Sequence, residues 1–236
     1  MEKLKSGAKK LGIEFDSAQL ERFEVFYSEL VAWNQKINLT AITDYEEVQL
    51  KHFLDSLTVT LAYKPTHGAN IIDVGTGAGI PGIPLKIAFP DIRLVLLEAT
   101  VKKVSFQHHI TQTLGLNDIE IVVGRAEEIA HVPQYRESFG LVLSRAVAAL
   151  PTLVELTLPF CAVGGSFIAP KKGSVEDEVS NADKAIATLG GKLRTVQKIE
   201  LGEFADERYL VVIDKVAPTP EKYPRRAGVP AKRPLG

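Results

Sequence analysis

The residues of this chain best suited to chemistry gather around one short stretch. Asp73-Val74-Gly75-Thr76-Gly77-Ala78-Gly79-Ile80-Pro81-Gly82 follows the apolar pair Ile71-Ile72. An apolar strand that runs into alternating glycines and then a helix makes a cofactor loop. Its glycines let the backbone turn sharply and meet a ligand without a Cβ in the way, and Pro81 suits the first turn of the helix. A glycine turn that holds nothing is the blander reading. Because Gly77 to Gly82 also satisfies the dinucleotide fingerprint, the glycines alone leave two cofactor classes open. Asp73 separates them. A carboxylate at the strand end repels a pyrophosphate but attracts the cationic methionine moiety of S-adenosylmethionine, directly or through water. Glu98, closing the next apolar run, suits the ribose hydroxyls of either class. Gly124-Arg125-Ala126-Glu127, after the third run, can turn backbone amides and an acid toward an adenine edge.

The acceptor side is read from what is missing as much as from what is present. Exocyclic-amino methyltransferases commonly carry an Asn- or Asp-Pro-Pro-aromatic turn after the fourth strand, whereas this chain has Ser144-Arg145-Ala146-Val147-Ala148. Cytosine C5 chemistry needs a thiol nucleophile, and the single cysteine, Cys161, sits in an apolar context read as a helix end. A guanine N7 has an exposed lone pair and needs positioning rather than a base. Arg145 could supply that positioning by holding a phosphate, a guanine edge or a carboxylate. His52 and Asp55 at i, i+3 could form an oriented pair, or lie on a solvated helix face. Lys171-Lys172 reads equally as a phosphate contact or a basic turn, and His108-His109 as structural.

These residues need a frame. Short apolar runs alternating with helical stretches predict a mostly parallel sheet, with strands at Asn70–Val74, Arg93–Glu98, Ile119–Val123, Gly140–Ser144 and Ser166–Ala169. Helices are expected to start near Pro81, Val101, Ala126, Leu150 and Val175. Lys192–Glu200 and Arg208–Lys215 read as an antiparallel hairpin at the edge. Two helices precede the sheet, one from Asp16 and one after Asp44. The second carries an apolar stripe of Leu50, Phe53, Leu54, Leu57 and Leu61, with His52 and Asp55 on a neighbouring flank. The expected division is a helical extension over residues 1–66 packed on the core, a methyltransferase domain over 67–217, and a basic Pro-rich tail over 218–236. The tail is expected to lack its own fold and to offer Lys222, Arg225, Arg226, Lys232 and Arg233 to RNA.

Length and charge narrow the rest. A chain of 236 residues with 45% hydrophobic content supports one main domain, and a net charge of −1 leaves RNA contact to a local patch. One cysteine excludes an intrachain disulfide or a multi-thiolate metal site, so a cytoplasmic compartment and no metal are expected. No apolar stretch approaches the ~20 residues of a membrane span. With no interface signal, a monomer is expected.

Asn38-Leu39-Thr40, His52-Phe53-Leu54-Asp55-Ser56, the glycine segment, Ser144-Arg145-Ala146 and Lys222-Tyr223-Pro224-Arg225 occur in an order that resembles the RsmG methyltransferases, also called glucose-inhibited division protein B. The resemblance runs from about Asn34 to the tail. It implies an α/β, Rossmann-like S-adenosylmethionine-dependent methyltransferase fold: a mostly parallel seven-stranded sheet with a C-terminal hairpin and an N-terminal helical extension. It also implies methyl transfer to N7 of a guanine in 16S ribosomal RNA of the small subunit. Carried over residue by residue, Gly75, Ile80, Ala126, Glu127 and Arg145 fall at cofactor contacts, and Glu98, Ala99 and Thr100 beside ribose and adenine. Asp73 and Gly77 join them from the loop. Asn38, His52, Asp55 and Arg145 resemble the RNA-side residues. Ile80 departs from the aromatic or leucine more usual at its place. The alternatives are an NAD-dependent oxidoreductase and an assembly factor that binds S-adenosylmethionine without turnover.

Overall fold

The computed structural model describes residues 1–235; Gly236, the last residue of the expected tail, lies outside them. Its strands are β1 (Asn70–Val74), β2 (Arg93–Glu98), β3 (Ile119–Val123), β4 (Phe139–Leu143), β5 (Cys161–Lys172), β6 (Gly191–Lys198) and β7 (Arg208–Lys215). They form one seven-stranded sheet in the order β3-β2-β1-β4-β5-β7-β6. The first five pair in parallel, while β7 runs antiparallel to both β5 and β6. The chain reverses direction of winding between β1 and β4, and in open α/β sheets ligands bind outside the strand carboxyl ends at such a switch point.

Both faces of the sheet are covered, so its central strands are mostly apolar on both sides rather than alternating with polar residues, Asp73 of β1 being the buried exception. Ile71, Leu94, Leu96, Leu141 and Ile168 belong to one buried cluster; their neighbours Ile72, Val95, Leu97, Val142 and Phe167 belong to a second. The first cluster includes Leu4, Phe23, Phe26, Phe53 and Leu57 from the N-terminal helices.

Helix α1 (Glu2–Lys10) was not anticipated, because its apolar signal reduces to the buried Leu4, Gly7 and Ala8 among lysines. Gln49 compensates by accepting from the free amides of Lys3 and Leu4 at 3.1 and 3.3 Å. Helix α2 (Ser17–Asn34) starts at Asp16, whose side chain accepts from Gln19 N at 2.7 Å while Gln19 Oε1 accepts from Asp16 N at 3.0 Å. Gln19 Nε2 then donates to Ile87 O, tying this helix to α5 (Gly82–Ala88).

The helix expected after Asp44 changes pitch along its length. It runs through α3 (Tyr45–Val48), a π turn (Gln49–Leu54), α4 (Asp55–Leu57) and a 3-10 turn (Thr58–Leu61). A uniform helix would leave His52 and Asp55 on a flank. Instead both are buried, at 8% and 3% exposure, while Leu61, expected on the apolar stripe, is 42% exposed. Such π insertions recur where a helix must re-aim side chains at a site.

The later helices are α6 (Val101–Thr113), α7 (Ala126–Ile129), α8 (Leu150–Thr157), α9 (Glu176–Ser180), α10 (Asp183–Thr188) and α11 (Val229–Lys232). Cys161 opens β5 rather than ending a helix, and burial pushes its thiol up to about 12, which removes the nucleophilic thiolate. His109 of α6 meets Glu29 at 2.6 Å and packs against Trp33.

The tail departs from expectation. Its composition offers little apolar surface, but polar bonds fasten it to the core. Arg225 donates from Nε at 2.9 Å and from Nη2 at 2.6 Å to Glu155, a fully buried carboxylate of α8. Arg136 reaches the carbonyls of Tyr223 and Thr219, both at 2.9 Å. Thr152 donates to Pro230 O at 3.2 Å. Bonds of this kind do not register in hydropathy. Among the described residues no helix is long and apolar enough to cross a membrane, and no group of three or more His, Cys, Asp or Glu side chains is placed to hold a metal ion.

Candidate functional site

Two cavities open side by side at the carboxyl ends of the central strands, and Ala146 lines both. The larger, about 420 Å³, is walled by Gly75 after β1, Glu98 at the end of β2 and Ala99 after it, and Ala126 and Glu127 after β3. That volume suits a nucleoside-sized ligand. The Glu98 carboxylate is held in place by backbone amides, with Oε2 accepting from Gly77 N at 3.0 Å and Oε1 from Thr100 N at 2.8 Å. Gly75 has φ +70°, and a Cβ there would stand 2.5 Å from Val147 Cγ2, which lines the same cavity. Backbone therefore forms the wall where any side chain would fill it.

Asp73 sits beneath the loop rather than on the cavity wall. Its Oδ2 accepts from Thr76 Oγ1 at 2.6 Å and from Gly82 N at 2.9 Å, which fixes the glycine turn at both ends. Its Oδ1 is buried and has no partner. Burial raises its pKa to about 6, against the opposing pull of Thr76, Gly82 and Arg145. Any attraction of Asp73 for a cationic ligand therefore acts through or beneath the turn.

The second cavity, about 350 Å³, is lined by Ile42, Lys51, His52, Asp55, Arg145 and Arg208 among others. Arg145 leaves the end of β4 and donates from Nη1 to Asp55 Oδ2 at 2.7 Å and to Lys51 O at 2.9 Å. Its Nη2 lies 3.3 Å from His52 Nδ1. Arg208, opening β7, donates to the other oxygen of Asp55 at 2.8 Å and is itself steadied by Asp206 at 2.9 Å. Both oxygens of Asp55 are thus committed to guanidinium groups. His52 Nε2 contacts Thr40 Oγ1 at 2.7 Å. Thr40 is held in turn by Asn34, whose Oδ1 accepts from the amides of Leu39 and Thr40 at 2.8 and 2.9 Å.

His52 and Asp55 are therefore joined through Arg145, not to each other as an oriented pair. Of the residues expected at the cofactor, the first cavity brings together Gly75, Glu98, Ala99, Ala126 and Glu127. Gly77 and Thr100 act through their amides on Glu98, Ile80 is buried in the first core cluster, and Arg145 faces the second cavity. Asn38 is exposed and does not line that cavity. Sequence reasoning missed Thr40, Lys51 and Arg208 on one side and Val147, Gly228 and Ala231 on the other. A basic residue opening the apolar run of β7 was the available signal for Arg208. Lys171 and Lys172 border the second cavity but pair with Glu178 and Asp206, both at 2.7 Å.

Burial, then Arg145, then Arg208 push the pKa of His52 down to about 4, so the imidazole is neutral at physiological pH. The folded chain releases a proton that the unfolded chain keeps below its usual 6.5, so this stabilisation is present above 6.5 and is lost as pH falls toward 4. Asp73 works in the opposite sense. Its folded value near 6 exceeds the usual 3.8, so it gains stability over much the same fall in pH. At about 1.4 kcal/mol per unit, each arm amounts to about 3 kcal/mol, and the two largely cancel. In His52→Gln the Asp73 arm stands alone. The stability deficit of this variant at pH 7.5 should shrink by about 2–3 kcal/mol at pH 4.5, read from urea midpoints. A deficit constant across that range would contradict a neutral, buried His52.

The family model for GidB, rRNA small subunit methyltransferase G, matches residues 19–209. A ribosomal RNA small subunit methyltransferase G from Dehalococcoides mccartyi (strain CBDB1) is 54% identical over 235 residues, spanning 100% of each chain. The protein of that name from Brevibacillus brevis is 46% identical, over 95% of this chain and 94% of its own. Among solved structures, a SAM-dependent methyltransferase from Aquifex aeolicus superposes with a TM-score of 0.55 at 15% identity, covering 79% of this chain and 98% of that one. M. jannaschii TYW2 in complex with AdoMet superposes at 0.53 and 12% identity, covering 73% and 78%. These two share the fold.

Proposed function

Since the chain belongs to the rRNA small subunit methyltransferase G family, we propose that it transfers a methyl group from S-adenosylmethionine to N7 of a guanine in 16S ribosomal RNA, yielding 7-methylguanosine. The reading includes a cytoplasmic location, a monomeric enzyme, and a helical extension, methyltransferase domain and C-terminal segment bounded near residues 66 and 217. The observation that carries it is the pair of adjoining cavities. One is walled by a glycine turn and a fixed acid; the other is lined by guanidinium groups; and Ala146 is common to both.

The residues present fit the donor. Glu98 has its carboxylate oriented by two amides toward the cavity, where it would accept from ribose hydroxyls. Glu127 and the Ala126 amide would face the base, and Gly75 would give the methionine portion room beside the loop. When bound, S-adenosylmethionine supplies an electrophilic methyl carbon on a sulfonium sulfur. Among the described residues, none that lines the second cavity is a strong free base: Asp55 is shared by two arginines, and His52 is neutral with a lowered pKa. That suits N7, whose lone pair needs alignment rather than deprotonation. Arg145 lies at the junction and would fix the guanine edge or its phosphate.

Thermal shift tests the donor half. S-Adenosylmethionine and S-adenosylhomocysteine should raise the melting temperature in proportion to the logarithm of their concentration, and NAD should leave it unchanged. Stabilisation by NAD without response to the methyl donor would favour the oxidoreductase reading instead.

A further inference from the structure

The basic C-terminal segment reads from sequence as an arm for RNA, but its contacts point elsewhere. Gly228 and Ala231 line the donor cavity together with Gly75 and Glu98. Gly228 N donates to Glu127 Oε1 at 2.9 Å, so the segment bonds the very acid that would face the base in the donor reading above. Arg225 is already paired with a carboxylate. Glu155 takes its Nε and Nη2, and its Nη2 also donates to Arg233 O at 2.7 Å, folding the segment back on itself.

We propose that residues 219–235 form the outer wall of the donor cavity, with Gly228 as the positioning residue for Glu127 and Arg225 as the residue that seats the wall on Glu155. The inference rests on the donor-cavity reading above. A carboxylate has about four lone-pair sites, so Glu127 holds the Gly228 amide and still accepts a second donor from the ligand. Fixing its rotamer before the ligand arrives removes an ordering cost from binding. The segment thus acts on donor affinity first.

The test uses isothermal titration with S-adenosylhomocysteine on the full chain, on a chain ending at Arg226, and on full-length Ala231→Trp. The shortened chain keeps Tyr223 and the Arg225–Glu155 pair but loses both wall residues. Its Kd should rise about ten-fold, the scale of one lost hydrogen bond with its apolar surround. The KM for S-adenosylmethionine should rise with it, while kcat at saturating donor stays near the full-length value. Ala231→Trp places an indole at the cavity edge and should weaken binding about five-fold or more without depending on the shortened chain folding. Ligand-free melting of each variant separates lost affinity from lost fold. Affinities within two-fold of the full chain in both folded variants would overturn the wall. Failure of the full chain itself to bind S-adenosylhomocysteine would overturn the donor reading beneath it.

Discussion

Replacing Arg145 by alanine is expected to lower methyl transfer about a thousand-fold at saturating donor and RNA, a barrier increase of about 4 kcal/mol. Arg145→Lys should lose about a hundred-fold. Three neighbours hold the guanidinium in one plane: Asp55 Oδ2 at 2.7 Å, Lys51 O at 2.9 Å and His52 Nδ1 at 3.3 Å. A lysine keeps the attraction to Asp55 but has no planar fork to satisfy all three, so its charge is present without its orientation. Stability should suffer less than turnover. Arg208 continues to pair with Asp55 at 2.8 Å, so the buried carboxylate is not left without a partner. Single-turnover rates beside urea midpoints separate the two effects. Near-parental rates in both variants would move the active site away from the end of β4.

The second large effect is expected from Gly75→Val, which should weaken donor binding about a hundred-fold or more. Two independent costs fall on that substitution. The residue has φ +70°, a left-handed conformation that costs an L side chain about 1–2 kcal/mol and a β-branched one more. Its Cβ would also meet Val147 Cγ2 at 2.5 Å, and Val147 lines the same cavity, so relief means that one side chain or the other occupies the donor's space. The strands around the turn do not depend on that volume, and far-UV circular dichroism should remain parental. Retained affinity for S-adenosylhomocysteine in a folded Gly75→Val would contradict the cavity assignment.

Sequence gave access to those parts of the molecule whose information is local. The limits of β1, β2, β3 and β7 follow from apolar runs bounded by polar or glycine residues, and the observed strands begin and end where those runs do. The loop after each parallel strand then falls at one edge of the sheet by topology alone. Features built from distant partners were not legible. Asp55 and Arg208 are 153 residues apart, and nothing in either neighbourhood announces the other. The π turn over Gln49–Leu54 defeats a periodicity argument because it changes the period, and so converts the expected flank of His52 and Asp55 into an interior pair facing Arg145. The charge of Asp73 points toward a ligand in the sequence, whereas its hydrogen bonds go to Thr76 and Gly82 within its own turn. The tail has little apolar content to signal docking, but an ion pair and bonds to backbone carbonyls hold it in place.

Methylation at a guanine N7 leaves a chemical signature that can be measured directly. The protein is incubated with S-adenosylmethionine and 16S ribosomal RNA lacking the modification, as naked RNA and as small subunits. The RNA is then reduced with borohydride and treated with aniline, which cleaves the chain at 7-methylguanosine, and the breaks are mapped by primer extension. One new break is expected at a guanine, dependent on both protein and donor, and lost in Arg145→Ala. Methyl label that enters the RNA without creating such a break would contradict methylation at N7.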